Sequence, residues 1–445
     1  MAEFNLAALP DDIIHEICTT LCPHCRRCTH RFVSDEMALV ALCEVARRFR
    51  CIAQPVLYHY FTSRVFRGTS NIRRMLLFLR TLVEQPNLAS MVRYLHIVAQ
   101  ERSSTSTGNQ AEDLLNMSEN IITEACARLG IAAVRITHLD SLAYYTVIQL
   151  LIAHLPRCEL LYFGEYSTVA GPPVQKDLQV FRLLTGATAS TDPSRFQLDC
   201  LKRIEVFNTE LDEGLAVSLW ELSDLFVLAP NLQCIEGSEL RCEGGPDSVL
   251  SIASVVELRI NWSELSYRQL DVLLDSCAPL RIFSFSFDYK GESGHRHPSP
   301  RQAVRALLRR HRATLEFLSL FSHSEASAGE QVDTTLKPFP RLAFLEVDAY
   351  CFGNPSNLAN DFLVRLLPES LQSFTLVVAA EHRALQKHLR RLSQSRHLFK
   401  ELQHVKIWGA CREPWMTQED TASLEGLFKE VGIKFTIKQI GLQVL

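Results

Sequence analysis

One six-residue pattern recurs along this chain and restricts what it can fold into. It runs apolar, two variable residues, apolar, one variable residue, apolar. The copies are VRYLHI from Val92, CELLYF from Cys158, LKRIEV from Leu201, VVELRI from Val255, LRIFSF from Leu280, LEFLSL from Leu315, LAFLEV from Leu342, LQSFTL from Leu371 and LQHVKI from Leu402, with LQCIEG from Leu232 as a degraded copy. Side chains of a strand alternate between its faces, so positions four and six share the inner face and positions three and five the opposite one. Proline and a small polar turn often come just before a copy, as in APNLQCI, CAPLRIF and PFPRLAFL. Between copies, DEGLAVSLWELSDLFVL and RQAVRALLRRHRATL are helical in pattern.

From Leu232 onward the copies start 23, 25, 35, 27, 29 and 31 residues apart. A strand and a helix at roughly that period resemble the leucine-rich repeat, whose units stack to bury a continuous core. A doubly wound α/β domain also alternates strands and helices. The shared internal pattern of the copies favours the repeat reading. In the 445 residues, 47 % are hydrophobic and 22 % charged, as in ordinary globular proteins. A formal net charge of −4 makes no general case for nucleic acid or an anionic membrane as partner. The start, MAEFNLAALPDDII, is acidic and lacks a basic stretch followed by an apolar run, so no signal peptide is expected. No uninterrupted apolar stretch reaches the roughly 18 residues of a spanning helix. A cytoplasmic or nuclear location is expected, with most of the fourteen cysteines acting as small buried apolar groups.

The N-terminus reads differently. ALPDDIIHEICTTL predicts a helix entered through Pro10, with Asp11 and Asp12 at the positive end of its dipole. A second helix is expected to begin near Ser34, with Leu39, Leu42, Cys43 and Ala46 as its apolar stripe. In FRCIAQPVLYHYF, Phe49, Ile52 and Ala53 continue the apolar pattern and Pro55 interrupts it. Three short helices bury little core alone, so this module is expected to pack on a neighbour or a partner. LPDDIIHEI followed by LVALCEVARRFRCIAQPVLYHYF resembles an F-box, in the version common in filamentous fungi, over about residues 5 to 62. An insertion at about residues 22 to 33 departs from the minimal motif.

The expected fold class is therefore α/β: short all-α F-box helices followed by a leucine-rich-repeat-like solenoid, a horseshoe. Residues 1–64 form the helical domain with its Cys-rich insertion, 68–90 a capping helix or linker, and 91–445 the solenoid. QERSSTSTGNQAED is expected to be a polar loop. The resemblance implies the substrate-recognition subunit of a cullin-type ubiquitin ligase. Leu9, Pro10, Ile13, Ile14, Ile17, Leu42, Val45 and Phe49 would dock onto a Skp-type adaptor, and the repeats would hold an unknown protein substrate. The alternative is a leucine-rich-repeat interaction scaffold with no ligase association. On the repeats, the open strand face puts Tyr94, Tyr162, Arg203, Phe207, Arg259, Phe321, Phe344 and Trp408 forward as substrate-binding residues, a mixture that suits a protein partner.

Chemistry is otherwise sparse. LCPHCRRCTH sets Cys22, Cys25 and Cys28 three residues apart, with His24 and His30 among them. The primary expectation is a solvated loop with no cofactor. The competing one is structural zinc on Cys22, Cys25, Cys28 and His30, with Cys18 or Cys43 as substitutes for the histidine. The sequence has no nucleophile elbow, phosphate loop, His-Glu-x-x-His or dinucleotide fingerprint, so no catalytic role is expected. Arg301, Arg305 and Arg309 share one helix face, read as solvated. No lysine precedes Lys176.

Overall fold

In a computed structural model of the chain, residues 8–26, 32–63, 71–100, 109–132, 141–166, 197–208, 219–238, 240, 250–263, 265–287, 298–322, 335–352, 358–378, 384–409 and 416–439 are described. The chain divides into two compact units, residues 1–215 with 221–232, and residues 216–220 with 233–445. The expected boundaries at 64 and 91 fall inside the first unit.

The first unit begins with α1 (Asp11–Leu21), α2 (Pro23–Arg26), α3 (Phe32–Val45) and α4 (Arg47–Leu57). Ile14, Cys18, Cys22, Leu39, Phe49, Ala53 and Val56 form their shared core. The chain continues through β1 (Tyr60–Thr62), α5 (Asn71–Glu84), α6 (Pro86–Ala89), β2 (Tyr94–Gln100), α7 (Asn109–Leu129), α8 (Ser141–Ala153), β3 (Leu160–Tyr166), β4 (Arg203–Asn208) and α9 (Ser223–Leu228). β1 to β4 pair in parallel and in chain order.

Three local expectations are corrected here. The second long helix starts at Phe32 rather than at a Ser34 cap. Helix α4 runs through Pro55, because a proline in the last turn removes only its own N–H bond while the turn still closes, with Tyr58 N–H donating to Gln54 O at 3.1 Å. The polar run after β2 is not wholly loop, since Asn109 already lies in α7, and residues 101–108 are outside the described set.

The second unit contains β5 (Cys234–Ser238), β6 (Glu257–Ser263), α10 (Tyr267–Ser276), β7 (Ile282–Phe287), α11 (Pro300–Arg310), β8 (Phe317–Ser322), β9 (Phe344–Asp348), α12 (Phe362–Leu366), β10 (Ser373–Val378), α13 (Ala384–Gln394), β11 (His404–Gly409), α14 (Gln418–Glu430) and β12 (Lys434–Gln439). Its strands also pair in parallel, each with its sequence neighbours. The fold class is thus α/β with parallel strands, an arrangement compatible with a repeat solenoid. Each hexad begins a strand at its third position: Tyr94, Leu160, Arg203, Cys234, Glu257, Ile282, Phe317, Phe344, Ser373 and His404. The first and fourth positions are buried throughout, as at Leu280 and Phe283 or Leu315 and Leu318.

One backbone device repeats with the hexads. The second-position carbonyl accepts two consecutive N–H groups of the next copy. Val256 O takes those of Arg281 (2.8 Å) and Ile282 (3.2 Å), and Arg281 O takes those of Glu316 (2.8 Å) and Phe317 (3.0 Å). The turn entering each strand is thereby fixed to the turn before it, which satisfies backbone groups that burial would otherwise strand. A buried imidazole supports one such turn: Leu280 N–H donates to His311 Nδ1 (3.0 Å), and His311 Nε2 lies 3.1 Å from Leu274 O. That pairing requires the neutral Nε2–H tautomer, and burial lowers the His311 pKa accordingly. Helices α10 and α11 start on capping boxes, Ser266 with Gln269 and Ser299 with Gln302. Among the described residues no helix is long and apolar enough to cross a membrane.

Candidate metal centre and interaction faces

Helix α1 ends at a capping Cys22 in extended conformation, and Pro23 at once starts the single turn of α2. That reversal sets Cys22, His24 and Cys25 around one point. His59, between α4 and β1, completes the group, and one ligand atom from each of the four lies within 4.8 Å of the others. Cys25 Sγ is 3.7 Å from His24 Nδ1 and 3.6 Å from His59 Nδ1. The two rings meet edge to face with centroids 5.9 Å apart. Burial pushes the Cys22 thiol up, and burial, followed by the charges of His24 and Arg93, pulls His59 down to about 4, which leaves a neutral imidazole at physiological pH. Two thiols and two imidazoles are a donor set for a soft or borderline cation. The expected ligands Cys22 and Cys25 belong to this cluster, whereas Cys28 and His30 lie outside the described residues. Neither Cys18 nor Cys43 is part of it. His59 was not legible as a ligand, because it sits 34 residues from Cys25 in a helix-to-strand junction.

The eight expected adaptor contacts divide three ways. Pro10, Ile13 and Val45 are exposed, Ile13 by 42 % and Val45 by 68 %. Leu9, Ile17 and Leu42 are half-buried. Ile14 and Phe49 are 1 % and 4 % exposed and belong to the helical core, so these two are corrected from surface anchors to packing residues. The reason is geometric: Ile13 and Ile14 are successive residues about 100° apart around α1, so one faces the core while the other does not. Met37 on α3, which the sequence reading did not single out, is 61 % exposed. Arg48 ties the Leu-Pro segment down, pairing with Asp11 (2.6 Å) and donating to Leu9 O (2.6 Å).

On the strand face of positions three and five, the first unit carries a row of rings. Tyr60 meets Tyr94 at 5.0 Å, His96 meets Tyr162 edge-on at 4.2 Å, and Tyr162 stacks on Phe207 at 5.4 Å. The Tyr60 hydroxyl lies 2.8 Å from His96 Nδ1. Gly164 makes room for this row, since a Cβ there would lie 2.7 Å from Tyr162 Cε1. Tyr94 is buried within the row, a correction to its expected accessibility, while Tyr162, Phe207 and Arg203 are half-buried. Arg203 pairs with Glu205 at 2.6 Å. In the second unit Arg259 lies over the Phe317 ring at 5.6 Å, Phe321 and Trp408 are half-buried, and Phe344 is 46 % exposed. Here the face is partly small and polar, with Ser284, Ser319 and Thr375 closed off between neighbouring strands. Arg301 is half-buried, and Arg305 and Arg309 are exposed, with Arg309 paired to Asp271.

No protein-family model and no curated protein matches the chain.

Proposed function

We propose that the chain is a non-catalytic substrate receptor of a cullin-type ubiquitin ligase, acting in the cytoplasm or nucleus. In this reading the N-terminal helices are an F-box that binds a Skp-type adaptor. The hexad array is a leucine-rich-repeat solenoid that holds a protein substrate. The observation that carries the reading is the conjunction of a four-helix module leaving Pro10, Ile13, Met37 and Val45 in water with parallel strands that follow the chain order. Apolar side chains on adjoining short helices are the means by which a helix pair enters an apolar groove. The half-buried aromatics and mixed charges of the strand face suit a protein partner. The lysine-free stretch before Lys176 would leave no acceptor side chain near the ligase-docking end. The Cys/His cluster enters as a structural metal staple, with zinc as its ion.

One observation favours the alternative, an interaction scaffold without ligase association. Ile14 and Phe49 are used in the module's own core, as a cap on the repeats would use them. Co-expression with a Skp-type adaptor separates the two. The receptor reading expects a complex that survives size-exclusion chromatography, and elution of the chain without the adaptor would leave the scaffold.

A further inference from the structure

We propose that Cys22 Sγ, Cys25 Sγ, His24 Nδ1 and His59 Nδ1 form a closed tetrahedral zinc site that clips the end of α1 onto the first strand of the repeats. With Zn–S near 2.3 Å and Zn–N near 2.05 Å, a tetrahedral site has sulfur–nitrogen edges of about 3.6 Å. The two edges running from Cys25 Sγ measure 3.7 and 3.6 Å. Cys25 Sγ faces the two ring nitrogens at nearly equal distance, and the Cys22 sulfur lies within 4.8 Å of the same group, so two sulfurs and two nitrogens surround one point. A cation bound to the thiolate satisfies both nitrogens at once. Cys22, fully buried, supplies the second sulfur, and Cys25 stands at the exposed side. Four protein donors leave no open position, so the ion is structural and activates no water. Two thiolates and two imidazoles select zinc over the oxygen-seeking magnesium and calcium.

The site acts through the place of His59 in the array. The His59 carbonyl accepts the N–H groups of Arg93 (3.0 Å) and Tyr94 (2.9 Å), the paired acceptance seen again at the second positions Arg93, Gln233, Val256 and Arg281. His59 is thus the second residue of an additional, N-terminal copy. Its side chain reaches back to the α1–α2 reversal, joining the helical module to the first turn of the repeats by a bond rather than by packing alone. This refines the staple reading above and does not depend on adaptor binding.

The test is metal analysis of the full chain purified without chelators. One equivalent of zinc is expected in the wild type and in a Cys28→Ser/His30→Asn double variant. Less than about a tenth of an equivalent is expected in Cys25→Ser and in His59→Asn, because losing a direct ligand weakens affinity beyond the roughly hundredfold that outer-shell changes cost. Should those variants unfold, cobalt(II) exchange into the wild type gives a second reading: the visible absorption of tetrahedral S₂N₂ cobalt, lost on adding zinc. A wild type with neither zinc nor that spectrum overturns the proposal. So does a double variant that loses metal while His59→Asn keeps it. Adaptor binding measured on the same samples shows whether the receptor reading fails separately.

Discussion

Asp348 at the end of β9 is a carboxyl in a position unfavourable to its charge. It is buried, its Oδ1 accepts the Tyr350 N–H at 2.8 Å, and burial raises its pKa to about 7. A raised folded-state pKa means the native chain holds the proton longer than the unfolded one. The stabilisation is complete below the unfolded value near 3.8 and is lost as pH rises through 7. Asp348→Asn keeps an acceptor for Tyr350 and removes the titration. Urea unfolding should find this variant more stable than the wild type at pH 8, by up to about 4 kcal/mol, with the difference shrinking towards pH 5. A variant less stable at pH 8 would mean that the carboxylate is stabilised by a partner. Trp262 is a second residue out of the ordinary, with φ of 49° beside the irregularity between Ile260 and Ser263. Left-handed backbone costs a side-chain-bearing residue about 1–2 kcal/mol, so Trp262→Gly should raise stability by about 1 kcal/mol. A loss instead would show that the indole's contacts outweigh the strain.

At the scale of elements, the hexads were legible because the first and fourth positions are buried in each copy, which demands apolar residues there whatever surrounds them. The two terminal strands were not. In β1 the sixth position is Ser63, buried but bonded to the β2 backbone, with Val98 N–H donating to its Oγ at 2.8 Å. In β12 the first position is Gly432, at φ +74°. Each breaks the apolar pattern while keeping the strand. The helical pattern of the N-terminal segment was legible but its facing was not, since Ile13 and Ile14 differ only by rotation around α1. The Cys/His cluster was half legible: Cys22 and Cys25 were expected, His24 was passed over for His30, and His59 arrives through tertiary structure. The facing makes a direct prediction. Ile14→Ala should lower stability by about 2–4 kcal/mol by leaving a cavity, and Ile13→Ala should stay within about 0.5 kcal/mol. Equal effects in thermal unfolding would mean that the helix is turned differently.

For the whole molecule, each unit repeats one parallel strand-and-turn device, and the first adds a helical module whose apolar side chains are only partly used in its own core. In the proposed receptor the remainder docks onto an adaptor. Aspartate at Ile13 and Val45 would put charge into an apolar groove without disturbing the fold, because both side chains stand in water in the free chain. The most direct measurement is a calorimetric titration of a purified Skp-type adaptor into the full chain and into the Ile13→Asp/Val45→Asp variant. One site with Kd below about 1 μM, or 8.2 kcal/mol, is expected for the wild type, and binding weakened at least about tenfold in a variant of unchanged melting temperature. A wild-type chain that binds no adaptor, or a variant that binds as tightly as wild type, would contradict adaptor docking through this face.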